Sequence, residues 1–288
     1  SWPAQKPFQS IVASIDMKRL LIGTVSALAM MLPGAVMAQE TIRVGILVAL
    51  EGAFAAGGAD GVRNVELALR QVNNMAGGKK IETIVAPTDT TPDTATRMAR
   101  KLIEQDKVDI IIGPLSGSEG IAMRDYAKTV PNKTIINGIS GALETTWVNP
   151  AKNFFRYNLD GAQWGSGLGT YVVKTKGWKR VATVTADYSF GYTNFLGFAA
   201  DFCRAGGVIA ERLWVPLGAA DFAGVIAKLP DNVDAIYLGL GGTDAINFLN
   251  QFQQAGTKIN LIGGTIMADQ TVLTSRGRAK EALVGTPI

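Results

Sequence analysis

Two serines set among glycines stand in "IIIGPLSGSEG", residues 110–120. Gly113, Gly117 and Gly120 allow backbone to approach a ligand closely, and Ser116 and Ser118 bring hydroxyl donors. Where such a stretch runs from a strand into a helix, unpaired N–H groups and the positive dipole end lie in the same loop. The chemistry this suits is capture of an anion such as a carboxylate, with no bond made or broken. The same residues also suit a plain capped helix with Ser118 as N-cap, and both readings stand at this level.

Other chemistry is limited by what the chain lacks. With no histidine in 288 residues, a Ser-His-Asp triad, a His-based zinc site and imidazole acid–base catalysis are excluded. The one cysteine, Cys203, shares helical spacing with Phe198 and Phe202 and is expected to be a small buried hydrophobe. "LGLGGTD", residues 238–244, repeats the glycine-loop design. Its likeness to a dinucleotide turn is weak, because no acidic residue follows at a strand end. No cofactor and no metal are expected. The net charge of +4 includes +2 from residues 1–38, where Lys6, Lys18 and Arg19 face Asp16. No basic run is present, so no nucleic-acid partner is expected.

The elements that must position the loop alternate in type. Residues 41–50 are a β-rich apolar run, and Val62, Val65, Leu69, Val72 and Ala76 then recur at helical spacing up to Gly77-Gly78. Strands are predicted near 80–87, 108–113, 133–140, 153–159, 180–187, 208–217, 233–241 and 260–266. Helices fall between them, one with Pro92 at its start and one over 118–130. This pattern predicts an α/β fold of parallel sheets covered by helices, in two similar halves around an irregular break near 141–160. In such folds ligands sit beyond the C-terminal strand ends.

From Met17 the chain reads as a secretory signal: Lys18 and Arg19, an apolar stretch over 20–32, then Pro33-Gly34 and small residues closing at Ala38. Thirteen residues are too few to span a hydrocarbon core of about 30 Å. The expected organisation is 1–16 as upstream residues outside any domain, 17–38 as a cleaved signal, 39–158 as a first lobe and 159–288 as an incomplete second lobe. The expected location is the periplasm.

Several segments resemble the periplasmic substrate-binding proteins of branched-chain amino acid ABC transporters, the type I leucine/isoleucine/valine-binding family. They are "IRVGILVALEGAFAAGGADGVRNVELALRQVN", "VDIIIGPLSGSEG", "DYSFGY" and "DFAGVIAKLPDNVDAIYLG", in family order. The resemblance implies two doubly wound α/β lobes that close on a small ligand and deliver it to a membrane permease. It also implies a binding protein rather than an enzyme, here expected to be a monomer. Carried over by position, one ligand loop is Ser116, Gly117 and Ser118, and a second is Ile139, Ser140 and Gly141. Tyr188 and Phe190 stand where a second-lobe aromatic closes on the ligand, with Phe54 facing them; each equally suits ordinary packing.

The sequence departs from the family pattern at several points. The family serine that meets the carboxylate falls on Gly117, and family tyrosines fall on Gly57 and Gly241. Amino-acid binders place an acid after the strand written here "NLIGGTIM", where this chain has Thr265, with Asp269 four residues on. The ligand classes kept open are an amino acid, a small or aromatic carboxylate, and an amide; the last two need no partner for a buried ammonium. The resemblance further implies that family members continue past Ile288, so the chain is expected to be a C-terminally truncated piece. A sensing receptor of the same fold and an α/β enzyme are the alternatives.

Overall fold

The computed structural model describes residues 40–288; the signal segment 17–38 and residues 1–16 lie outside the described residues. Two sheets carry the fold. The first runs β2-β3-β1-β4-β5-β6, from β1 (Thr41–Ala49), β2 (Met75–Ala76), β3 (Lys79–Thr88), β4 (Ile110–Ile112), β5 (Thr134–Asn137) and β6 (Phe154–Arg156). All its pairings are parallel except the short β2–β3 hairpin. The second runs β10-β9-β7-β8, from β7 (Arg180–Ala186), β8 (Val208–Val215), β9 (Ala235–Gly239) and β10 (Asn260–Gly263). It is wholly parallel.

Continuous apolar runs form strands buried on both faces, and β9 is buried along all its residues. The long helices are α1 (Ala55–Gln71), α2 (Pro92–Glu104), α3 (Gly117–Thr129), α4 (Ser189–Arg204) and α5 (Gly242–Gln254). Thr91 caps α2 ahead of Pro92, and Ala95, Ala99 and Leu102 bury one face of that helix. Leu102 joins Leu47, Ile111, Met123 and Ile135 in the first core. Phe198 and Phe202 join Val181 and Tyr237 beneath the second sheet. A further cluster is shared between the lobes, with Ala49 and Phe54 packed among Val184, Leu238 and Phe248.

Three expectations are corrected. The first helix ends at Gln71 rather than at Gly77-Gly78, because Asn73 and Asn74 both adopt left-handed φ of 53°. Val72 and Ala76 are therefore off the helix, and the two glycines turn the β2–β3 hairpin. Cys203 is exposed: it follows Phe202 by a single residue, about 100° round the helix, which turns it away from the core. The helix that the sequence "FAGVIAKL", residues 222–229, also predicts is one turn, Ala223–Ile226. Among the described residues no helix is long and apolar enough to cross a membrane.

Candidate functional site

The loops after β1, β4 and β5 face those after β7 and β10 across a cavity of about 120 Å³. From the first lobe it is lined by Phe54, Gly57, Leu115, Ile139 and Gly141. From the opposite side come Trp164, Tyr188, Phe190, Ile266 and Asp269. Four rings form one connected wall. Ring centroids are 6.4 Å apart for Phe54–Tyr188, 6.1 Å for Tyr188–Phe190 and 5.4 Å for Trp164–Phe190, within the range of tilted aromatic contacts.

The opening loop resolves into cap and contact. Ser116, not Ser118, is the N-cap of α3: its Oγ accepts from Glu119 N, while Glu119 Oε2 accepts from Ser116 N. Ser116 Oγ also donates to Thr90 O at 3.0 Å. Its hydroxyl is spent within the fold. The sequence signal was present as Ser-x-x-Glu, the capping-box spacing. Ser118 lies in the first turn, with its Oγ 3.2 Å from Ser189 Oγ of α4. The N–H groups of Gly117 and Ser118 are the first two of the helix and have no intrahelical acceptor. Ser116→Ala should therefore lower stability by about 0.5–2 kcal/mol and leave ligand affinity within threefold. Thermal melts paired with titrations check both halves.

Of the other expected site residues, Phe54, Ile139, Gly141, Tyr188, Phe190 and Asp269 reach the cavity. Ser140 does not: it is fully buried, and its hydroxyl packs on Gly120 of α3 with no hydrogen-bond partner. Gly241 lies at the N-cap of α5, where a Cβ would stand 3.0 Å from Ile266. Ile266, rather than the tyrosine of the family pattern, fills that corner of the cavity. Thr265 opens the short helix Thr265–Ala268. Asp269 closes that helix; its Oδ1 accepts from Thr271 N, and its Oδ2 would stand 3.8 Å from a Cβ on Gly57. Gly141 is needed for close approach, since a Cβ there would sit 2.7 Å from the Phe190 ring and 2.8 Å from Trp164.

Three titratable groups sit behind the cavity. Burial, with Asp244 and Glu119 nearby, pushes the Tyr188 hydroxyl above its ordinary range, so it remains a neutral donor. Burial likewise raises Asp244, against a hydrogen bond from Gly218 N at 2.7 Å. Burial raises Glu119 from the ordinary 4.5, opposed first by the adjacent Thr88 hydroxyl and then by its hydrogen bonds to Ser116. Glu119 Oε1 and the Thr88 hydroxyl are both buried and close, but neither makes a well-formed hydrogen bond. A raised native pKa means that stability is full below 4.5 and falls as pH climbs through the native value. Glu119→Gln supplies an amide that can donate to Thr88 and removes the titration. One hydrogen bond of about 1 kcal/mol should raise Tm by about 2–4 °C near neutral pH, and melts from pH 4 to pH 8 should show the gain over wild type growing with pH.

Leu115, Trp164 and Ile266 were missed from sequence because each reads as an ordinary apolar residue with no local signal. Among the described residues no group of carboxylates and cysteine could hold a metal ion.

The chain matches a family model described as periplasmic binding protein over residues 41–287. It is similar to the solute binding protein of an ABC transporter from Rhodopseudomonas palustris BisB5, solved with 3,4-dihydroxybenzoic acid. The two are 29% identical with a TM-score of 0.76, covering 83% of this chain and 66% of that one. A second R. palustris solute binding protein, solved with benzoate, is 26% identical with a TM-score of 0.74, covering 79% and 63%. The Leu/Ile/Val-binding protein of Citrobacter freundii is 25% identical over 261 residues, covering 86% of this chain and 67% of that protein. The chain thus spans about two thirds of the length of these relatives.

Proposed function

The chain belongs to the periplasmic binding protein family, and we propose that it captures a small carboxylate between its two lobes and delivers it to the permease of an ABC transporter. The lobes are assigned as residues 39–158 and 159–288. The family is extracytoplasmic, and its fold is that of non-enzymatic solute-binding proteins. For this chain the reading adds export to the periplasm by cleavage after Ala38, action as a monomer, and release of the ligand unchanged.

The observation that carries the reading is a small cleft walled by four aromatic rings, with Leu115, just before α3, and Gly141 of the second loop on its first-lobe side. A cavity of 120 Å³ compares with the apolar cavity of about 150 Å³ that accommodates benzene. The cleft is therefore on the scale of a single ring, single-ring carboxylates suit its four-ring lining, and two relatives were solved with such acids. Carboxylate at the start of α3 gains from the dipole and from hydrogen bonds of roughly 1.5–3 kcal/mol each. Binding favours the closed state because the ligand touches both lobes.

Asp269 supports a second reading. Its carboxylate lines the cavity and suits the ammonium of an apolar amino acid, or equally the hydroxyl of a phenolic acid. A thermal-shift screen separates these: benzoate, 4-hydroxybenzoate, leucine and benzamide at one concentration each. Benzoates should raise Tm most. A shift with leucine alone would assign the cleft to amino acids, and no shift with any carboxylate would overturn the reading.

A further inference from the structure

Arg156, at the end of the edge strand β6, reaches under the second ligand loop. Its Nη1 donates to Ser140 O at 2.8 Å and its Nη2 to Ala142 O at 2.6 Å. Its Nε donates to Thr146 Oγ1 at 3.2 Å, and Nη2 also meets the Thr145 hydroxyl. Two asparagines work on the same side. Asn137 Nδ2 donates to Ser140 O at 2.7 Å, and Asn158 Nδ2 to Ile139 O at 3.0 Å. Three carbonyls of a four-residue stretch are thus drawn toward one half-buried cluster of donors.

In a trans peptide the C=O and N–H point in opposite directions. Drawing Ser140 O and Ala142 O toward Arg156 therefore turns the N–H groups of Gly141 and Leu143 the other way. For Leu143 the consequence is visible: its N–H donates across the cleft to Thr193 Oγ1 of α4 at 3.3 Å. Gly141 lines the cavity, and among the described residues its N–H meets no protein acceptor. With the Leu143 amide taken up by Thr193, the Gly141 amide, backed by a guanidinium, is the donor this loop offers to an anion in the cavity.

We infer that Arg156 is the positioning residue of this loop, holding its carbonyls back so that the Gly141 N–H meets the ligand carboxylate. The inference rests on the proposed carboxylate-binding reading. Arg156 does not touch the ligand; it acts through the peptide it orients, and its charge lies behind that peptide. Asp160 is the acid nearest to it electrostatically; the Asp160 carboxylate is taken up in capping Ala162 and Gln163 N–H groups.

The test uses Arg156→Met and Arg156→Lys, calorimetric titration with benzoate, 4-hydroxybenzoate and leucine, and the amide resonance of Gly141. Arg156→Met should weaken the best-binding acid at least tenfold and abolish the ligand-induced shift of the Gly141 amide. Arg156→Lys, which keeps the charge and one donor, should recover only part of that loss and stay at least twofold weaker than wild type. Benzamide, where it binds, should lose less than the acid. Wild-type affinity in folded Arg156→Met, or a Gly141 amide that still shifts, would overturn the role of Arg156 while leaving the cleft as the binding site. If Arg156→Met does not fold, Arg156→Lys decides: with no loss of affinity and an unchanged Gly141 shift the role fails. Failure of wild type to bind all three acids would instead overturn the carboxylate reading and this inference with it.

Discussion

Gly117→Ala should weaken ligand binding by about 5- to 150-fold without lowering the melting temperature of the free protein. A Cβ at Gly117 would stand 2.7 Å from Phe190 N and 2.8 Å from Ser189 Oγ, across the cleft. The nearer obstacle is backbone, which cannot rotate aside. Forcing an extra methyl into such a contact costs typically 1–3 kcal/mol, and here the cost falls only on the closed state. A free protein avoids it by opening, whereas a ligand must pay it to bring the lobes together, which gives the stated range. Alanine is meanwhile a better residue than glycine at the start of α3, worth about 0.4–1 kcal/mol where the backbone is compatible. Titration and melting should thus move in opposite directions. A variant that melts lower and binds normally would mean that Gly117 serves the helix rather than closure.

Phe198→Ala should destabilise the protein by about 3–5 kcal/mol, the largest single-site loss expected. The ring is fully buried, stacked 4.2 Å from Tyr237 and 5.2 Å from Phe202 by centroid. It joins α4 to the underside of β9, and α4 carries Phe190 into the cleft at its other end. Denaturant unfolding should show a reduced midpoint with an unchanged slope. A loss below 1 kcal/mol would show that the three rings do not form a shared core.

Much of the fold was legible because its central strands β1, β7 and β9 are largely buried on both faces and its helices on one. "IIIG" and "AIYLG" cannot be helix surface, and Pro92 with Thr91 marks a helix start without ambiguity. The helix expected to end at Gly77-Gly78 ran too long for a local reason: asparagine enters the left-handed region nearly as glycine does, so Asn73 and Asn74 ended it first. Site residues divided along similar lines. Aromatic and glycine positions in the loops were legible because few residue types tolerate close approach. Arg156 was not, since its partners are carbonyls that every residue carries. Ser116 rather than Ser118 is the cap because α3 begins two residues earlier than a Ser118 cap requires.

The most direct measurement is isothermal titration of the purified protein with benzoate and 4-hydroxybenzoate over several temperatures, with the recovered ligand examined for chemical change. One ligand per chain, a negative heat-capacity change from burial in the aromatic cleft, and unaltered acid on recovery are the expected results. Absence of heat with every carboxylate, or conversion of the bound acid to a product, would contradict a cleft built to hold a carboxylate and release it unchanged.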